Sequence, residues 1–80
     1  MNFTVYSKEG CTHCTHVQSA LQLAELKHVI YKLDKDFTPE EFYEEFGEGA
    51  TFPQVVLDAS KRVHLGGATA TIKYIKENYD

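Results

Sequence analysis

Lys8-Glu9-Gly10-Cys11-Thr12-His13-Cys14 holds both cysteines of the chain, at the point where a strand pattern gives way to a helix pattern. Upstream, Phe3-Thr4-Val5-Tyr6 is a β-branched and aromatic run. Downstream, Val17, Ala20, Leu21 and Ala24 recur at helical spacing, which predicts a helix opening at Cys11. The first turn of a helix directs unpaired backbone N–H groups outward and carries the positive end of the dipole, so a sulfur there is favoured as thiolate, the nucleophilic form. The dipole alone contributes about 0.3–1 kcal/mol, so larger stabilisation needs direct donors. The N–H groups of His13 and Cys14 and the Cys14 thiol are the candidates, with Lys8 as a nearby charge.

Cys14 lies one helical turn beyond Cys11, near enough to close a disulfide and too near to staple distant parts of a fold. So short a loop removes little entropy from the unfolded chain. The pair therefore reads as redox machinery. Cys11, His13, Cys14 and His16 are all ligand types, but a structural zinc site draws on two separated pairs and the chain has no second one. Two inert buried cysteines fit poorly beside Gly10, Thr12 and His13.

Eighty residues allow one small domain spanning 1–80, near the lower limit for a single core without staples. Five phenylalanines and five tyrosines can fill that core. No apolar run reaches the ~20 residues that span a bilayer, and the N-terminus lacks a basic, then apolar, leader pattern. A cytoplasmic protein is expected, with no membrane association, and a reducing cytosol favours a catalytic over a structural cysteine pair. The net charge is −4, with seven acids and one lysine between Asp34 and Glu48; nucleic acid is an unfavourable partner for it. The acidic segment reads first as a solvated helix face and second as a docking surface for a basic partner.

From Ile30 to Asp34 apolar and polar residues alternate, predicting a second strand parallel to the first across a right-handed crossover. Thr38, Pro39 and Glu41 then form a capping-box pattern, and the helix they open ends at Gly47 or Gly49. Its Phe42, Tyr43 and Phe46 are expected in the core. Gln54–Leu57 and Arg62–Leu65 flank the four-residue turn Asp58-Ala59-Ser60-Lys61, predicting an antiparallel hairpin. Gly66-Gly67 breaks the sheet, Ala68 or Thr69 opens a last helix, and Ile72, Ile75 and Tyr79 mark its buried stripe. In Thr51-Phe52-Pro53, a proline begins a presumed central strand, where it cannot donate to the ladder; a cis bond is one explanation and a trans bond the commoner one.

The element order β-α-β-α-β-β-α, the Cys-x-x-Cys after the first strand, Thr51-Phe52-Pro53 before the third and Gly66-Gly67 before the last helix together resemble a dithiol glutaredoxin of bacterial or bacteriophage type, along the whole chain. The resemblance implies a thioredoxin-like α/β fold with a four-stranded mixed sheet, the first and last helices on one face and the acidic helix on the other. It implies a cis Phe52-Pro53 bond, with the backbone at Thr51 and Phe52 pairing with the cysteinyl part of glutathione. It assigns Lys8 to the glycyl carboxylate, and Gly67, Ala68 and Thr69 to the γ-glutamyl carboxylate at a helix N-terminus. Three positions depart from the family pattern: Ala70 replaces an acidic residue, Ala50 an arginine, and Thr12-His13 the usual Pro-Tyr.

The expected activity is glutathione-dependent thiol–disulfide exchange. Cys11 attacks and Cys14 resolves, while Thr12, His13, Phe52 and Pro53 border the substrate. Glutathione is the co-substrate, no permanent cofactor or metal is expected, and disulfide-bonded proteins such as ribonucleotide reductase are the clients of an expected monomer. Two alternatives are a redoxin reduced by thioredoxin reductase and a non-enzymatic metal or iron–sulfur carrier. The carrier is disfavoured because Cys14 gives Cys11 a disulfide partner.

Overall fold

The computed structural model describes residues 2–79. The strands are β1 (Asn2–Ser7), β2 (His28–Lys32), β3 (Gln54–Asp58) and β4 (Arg62–Gly66); the helices are α1 (Thr12–Leu23), α2 (Pro39–Phe46) and α3 (Ala68–Tyr79). The sheet order is β2-β1-β3-β4, with β1 parallel to β2 and antiparallel to β3, and β3 antiparallel to β4. This is the mixed four-stranded thioredoxin-like sheet expected, and it puts the end of β1 between two strands, where Cys11 emerges.

Alternation along β1 and β3 divides the molecule into two packed layers. Phe3, Val5, Val55 and Leu57 face α1 and α3, where Val17, Leu21 and Ile75 complete the core. On the other face, the Tyr6 ring meets Phe37 and Phe46, so α2 covers the sheet through aromatic contacts. Phe42, 1% exposed, is the centre of that layer. The α2 capping box forms as the sequence implies: Thr38 Oγ1 accepts from the Glu41 N–H at 3.2 Å, and Glu41 Oε1 accepts from the Thr38 N–H at 2.9 Å. Gly47 at φ 99° ends the helix, a conformation that favours glycine. No helix among the described residues is long and apolar enough to cross a membrane.

Three local expectations are corrected. The hairpin turn has three residues, 59–61, because Asp58 belongs to β3: it pairs with Arg62, and its carboxylate accepts from Thr4 Oγ1 at 3.2 Å. Tyr43 is not in the core. It lies off the Phe42–Phe46 stripe of α2 and is 39% exposed. On α3 the buried positions are Thr71 and Ile75, while Ile72 is half-buried and Tyr79, in the last turn, is exposed with an edge contact to Phe3. Because α3 starts directly after Gly67, its inward line runs through Ala68, Thr71 and Ile75.

Thr71 is fully buried, and its hydroxyl has no hydrogen-bond partner among the described residues. A buried hydroxyl without a partner carries a desolvation penalty of about 1–3 kcal/mol. Thr71→Val, which keeps the shape and removes the hydroxyl, is expected to stabilise the protein by about 1 kcal/mol, raising Tm by about 4–8 °C in a domain of this size. Thermal unfolding measures it; a lowered Tm would mean that the hydroxyl is bonded.

Candidate active site

Gly10, at φ 69°, turns the chain from β1 into α1. A side chain at Gly10 would meet nothing within 4 Å, so the requirement there is for the left-handed backbone and not for space. The turn delivers Cys11 as the N-cap of α1, with an extended backbone at φ −96° and ψ 104°. In place of the usual capping oxygen, Cys11 Sγ accepts from the Cys14 N–H at 3.2 Å. Of the two N–H groups expected at the sulfur, that of Cys14 reaches it.

Cys11 and Cys14 form a disulfide, with Cα atoms 5.3 Å apart, inside the usual range for such a bond. The two sulfurs differ in access. Cys11 is half-buried at the mouth of a groove, whereas Cys14 is 6% exposed and shares the inward face of α1 with Val17 and Leu21.

The groove has two continuous parts. One, of about 470 Å³, is lined by Lys8, Cys11, Thr12, His13, Tyr43 and Phe52, among others. The second, of about 370 Å³, continues from His13, Thr51 and Phe52 past Pro53 to Gly67, Ala68 and Thr69. Every residue expected at the site except Cys14 borders this path. Cys14 opens instead onto an adjoining cavity of about 330 Å³, shared with Cys11, Lys8, Gln18 and Lys32. Ala50 and Ala70 also line the groove with Thr12 and His13, so all three departures from the family pattern lie along it.

The loop carrying Thr51-Phe52-Pro53 is fixed from two sides. The Phe52-Pro53 bond is cis. Thr51 O accepts from Gln54 Nε2 at 2.9 Å, and Gln54 Oε1 lies 2.7 Å from His64 Nε2. The Phe52 ring stacks on Phe42, centroids 4.2 Å apart and planes 10° from parallel. Lys8 Nζ sits 5.4 Å from the Phe52 centroid, within cation–π range. The groove's cation is thus held beside its aromatic wall.

Tyr43 is the groove residue that sequence reasoning missed. Its aromatic type marked it for the core, but α2 turns about 100° per residue, so a residue next to Phe42 on the helix must leave the Phe42–Phe46 stripe. That offset was the available signal.

A disulfide within one helical turn, its outer sulfur capping the helix and its inner sulfur buried, on a thioredoxin-like sheet with a cis-proline loop opposite, defines a thiol–disulfide oxidoreductase. The family model for glutaredoxin matches residues 3–60, and the chain belongs to the glutaredoxin family. Among solved structures, reduced Escherichia coli glutaredoxin superposes with a TM-score of 0.75 at 22% identity, covering 98% of this chain and 96% of that one. Glutaredoxin 1 of Francisella tularensis, solved with cacodylate, gives 0.72 at 20% identity, covering 95% and 92%. Glutathione transferase Omega 1C of Trametes versicolor gives 0.77 at 14% identity; this chain spans 37% of its length. A comparison with curated proteins by sequence returns no match.

In the reduced protein, the more accessible capping sulfur is expected to react first. Alkylation at mildly acidic pH followed by peptide mapping should find Cys11 modified well before Cys14; preferential labelling of Cys14 would reverse their roles.

Proposed function

We propose that this oxidoreductase draws its electrons from glutathione and reduces both protein disulfides and glutathionylated proteins. The observation that carries this reading is the continuous groove from Lys8 past Cys11 to the first turn of α3 at Gly67, Ala68 and Thr69. A short peptide with a carboxylate at each end fits such a path. Lys8 offers a cation at one end, and the helix N-terminus offers backbone N–H groups at the other. Between them, the backbone of the Thr51-Phe52 loop is the partner for the peptide's own backbone, setting its sulfur against Cys11.

Each step is a thiolate displacement that conserves electrons. The Cys11 thiolate attacks one sulfur of a client disulfide, forming a mixed disulfide and releasing the other client sulfur as a thiolate that takes up a proton. Cys14, deprotonated, attacks Cys11 Sγ, frees the second client sulfur and closes the Cys11–Cys14 disulfide. One glutathione thiolate then attacks Cys11, releasing Cys14, and a second removes the first as glutathione disulfide. Burial of Cys14 directs incoming sulfur to Cys11. Ribonucleotide reductase, whose turnover leaves a disulfide, fits as a client.

Ala50 and Ala70 support a second reading, with a flavoprotein thioredoxin reductase as donor, because the groove lacks the arginine and the acid that would add contacts to glutathione. Disulfide reduction coupled to NADPH through glutathione and glutathione reductase, run beside the same assay with thioredoxin reductase, decides between the two. Turnover is expected with the first; turnover with thioredoxin reductase alone would overturn the proposal.

Cys11→Ser is expected to abolish all exchange. Cys14→Ser is expected to retain release of glutathione from glutathionylated proteins while losing reduction of intramolecular protein disulfides, both measured in the glutathione-coupled assay.

If glutathione lies along this groove, Ala50→Arg should strengthen its binding. An exposed ion pair adds at most about 1 kcal/mol, so the apparent affinity for glutathione should rise no more than about fivefold, and less as salt is added. No gain at low ionic strength would place glutathione elsewhere.

A further inference from the structure

One polar side chain ties the Thr51-Phe52-Pro53 loop to β4, the outer strand of the sheet. Gln54 is 9% exposed, in a strand whose next three residues are Val55, Val56 and Leu57. A buried amide must find partners at both ends, because an unpaired buried donor or acceptor is destabilising. Gln54 Nε2 donates to Thr51 O at 2.9 Å, and Gln54 Oε1 lies 2.7 Å from Nε2 of His64 on β4. We infer that His64 is a positioning residue for substrate binding, holding the Thr51-Phe52 backbone in its binding orientation through the Gln54 amide.

The chemistry of the three groups allows one arrangement. Thr51 O only accepts, so the NH2 end of Gln54 faces it; the oxygen end then faces His64, whose Nε2 must carry the proton. A half-turn of the amide would set its oxygen against the Thr51 carbonyl and its NH2 against the His64 N–H. With His64 in place that rotation breaks both bonds at once, whereas without a donor at Oε1 only the bond to Thr51 resists it.

Strand geometry brings the pair together. His64 pairs with Val56 across β3 and β4, and Gln54 lies two residues from Val56 on the same face, a diagonal separation that long side chains bridge. The His64 ring also packs against Phe46 of α2, with centroids 5.0 Å apart, which limits its swing. His64 is exposed and lines neither part of the groove, so it acts on the site through Gln54.

The anchored carbonyl sets what the groove presents. The Thr51–Phe52 peptide is planar and trans, so fixing its C=O on the buried Gln54 amide turns the Phe52 N–H the opposite way, away from that amide. The inference rests on the proposed pairing of glutathione with this stretch of backbone. A substrate that carries a peptide backbone on the attacked sulfur should therefore depend on His64, and one without it should not.

The test mixes the reduced protein with a model peptide whose cysteine is blocked either by glutathione or by 2-mercaptoethanol, which has no backbone to pair. Cys11 takes the blocking group in a mixed disulfide, the peptide leaves as its thiol, and a single turnover followed over a range of concentrations gives a half-saturating concentration and a maximal rate. The wild type is expected to saturate at lower concentration with the glutathionylated peptide.

His64→Phe keeps a ring against Phe46 and removes the donor. It should raise the half-saturating concentration of the glutathionylated peptide about three- to tenfold, the scale of one hydrogen bond, leaving the maximal rate and the mercaptoethanol-blocked peptide unchanged. His64→Gln keeps a donor at similar reach and loses the ring, so it should stay within about twofold of the wild type. Gln54→Leu should raise the half-saturating concentration at least as much as His64→Phe, and adding His64→Phe to it should change nothing further. A value unmoved by His64→Phe, moved equally by His64→Gln, or moved alike for both peptides would overturn the inference alone. Equal half-saturation of the two peptides with the wild type would remove the glutathione reading and the inference with it.

Discussion

The site depends on a sulfur doing the work of a capping oxygen. A helix that starts at the end of a central strand has free N–H groups at its first turn that must find acceptors, and in this protein Cys11 Sγ takes the N–H of Cys14. The same bond that starts α1 also orients the sulfur toward the groove and stabilises negative charge on it. Gly10 makes this geometry possible, because only a left-handed residue there turns β1 directly into the helix. The burial of Cys14 follows from the same helix phase, since the residue three positions after an N-cap falls on the inward line with Val17 and Leu21. Redox chemistry and local folding are therefore not separable at this point of the chain.

Much of this was legible in the sequence because the signals were local. The helix start at Cys11, the Thr38–Glu41 box, the stop at Gly47 or Gly49 and the antiparallel hairpin each rest on residues a few positions apart, and each formed, with the stop at Gly47. The resemblance to a family supplied the four-stranded mixed sheet; the pairing of β1 with β3 rests on distant contacts and is seen in the structure alone. The failures came where residue type was taken for position. Tyr43 is aromatic but lies off the buried stripe of α2, Tyr79 follows Ile72 and Ile75 at helical spacing but falls in the exposed last turn, and Thr71, the most buried residue of α3, is polar. Asp58 was given to a turn because aspartate favours turns, but Thr4 across the sheet holds it in a strand. No residue-by-residue propensity contains such a partner.

The aromatic layer under α2 explains how the Thr51-Phe52-Pro53 loop comes to be fixed. Phe52 stacks on Phe42, which in turn contacts Phe37 and Phe46, so a loop beside the disulfide is tied into the core through one ring. The other contact of Phe52 is the Lys8 ammonium. One side chain thus links the acidic helix, the cis-proline loop and the cation at the groove's end, which holds the three at fixed separations.

The ends of the sheet have their own consequence. An open sheet presents two outer strands whose free backbone groups can recruit strands from other molecules. The end of β2 is blocked by the chain that follows it: Asp36 accepts from the outward N–H of Lys32, and the N–H groups of Lys35 and Asp36 reach its carbonyl. The register of β4 shifts opposite Val55 and Val56, and Gly66 bends its last residue to φ 112°. A strand that is kinked, and one whose end is already hydrogen-bonded, make poor templates for edge-to-edge addition. That protection leaves the oxidoreductase without a ready template for polymerisation at either end of its sheet, beside the cysteine-bearing groove.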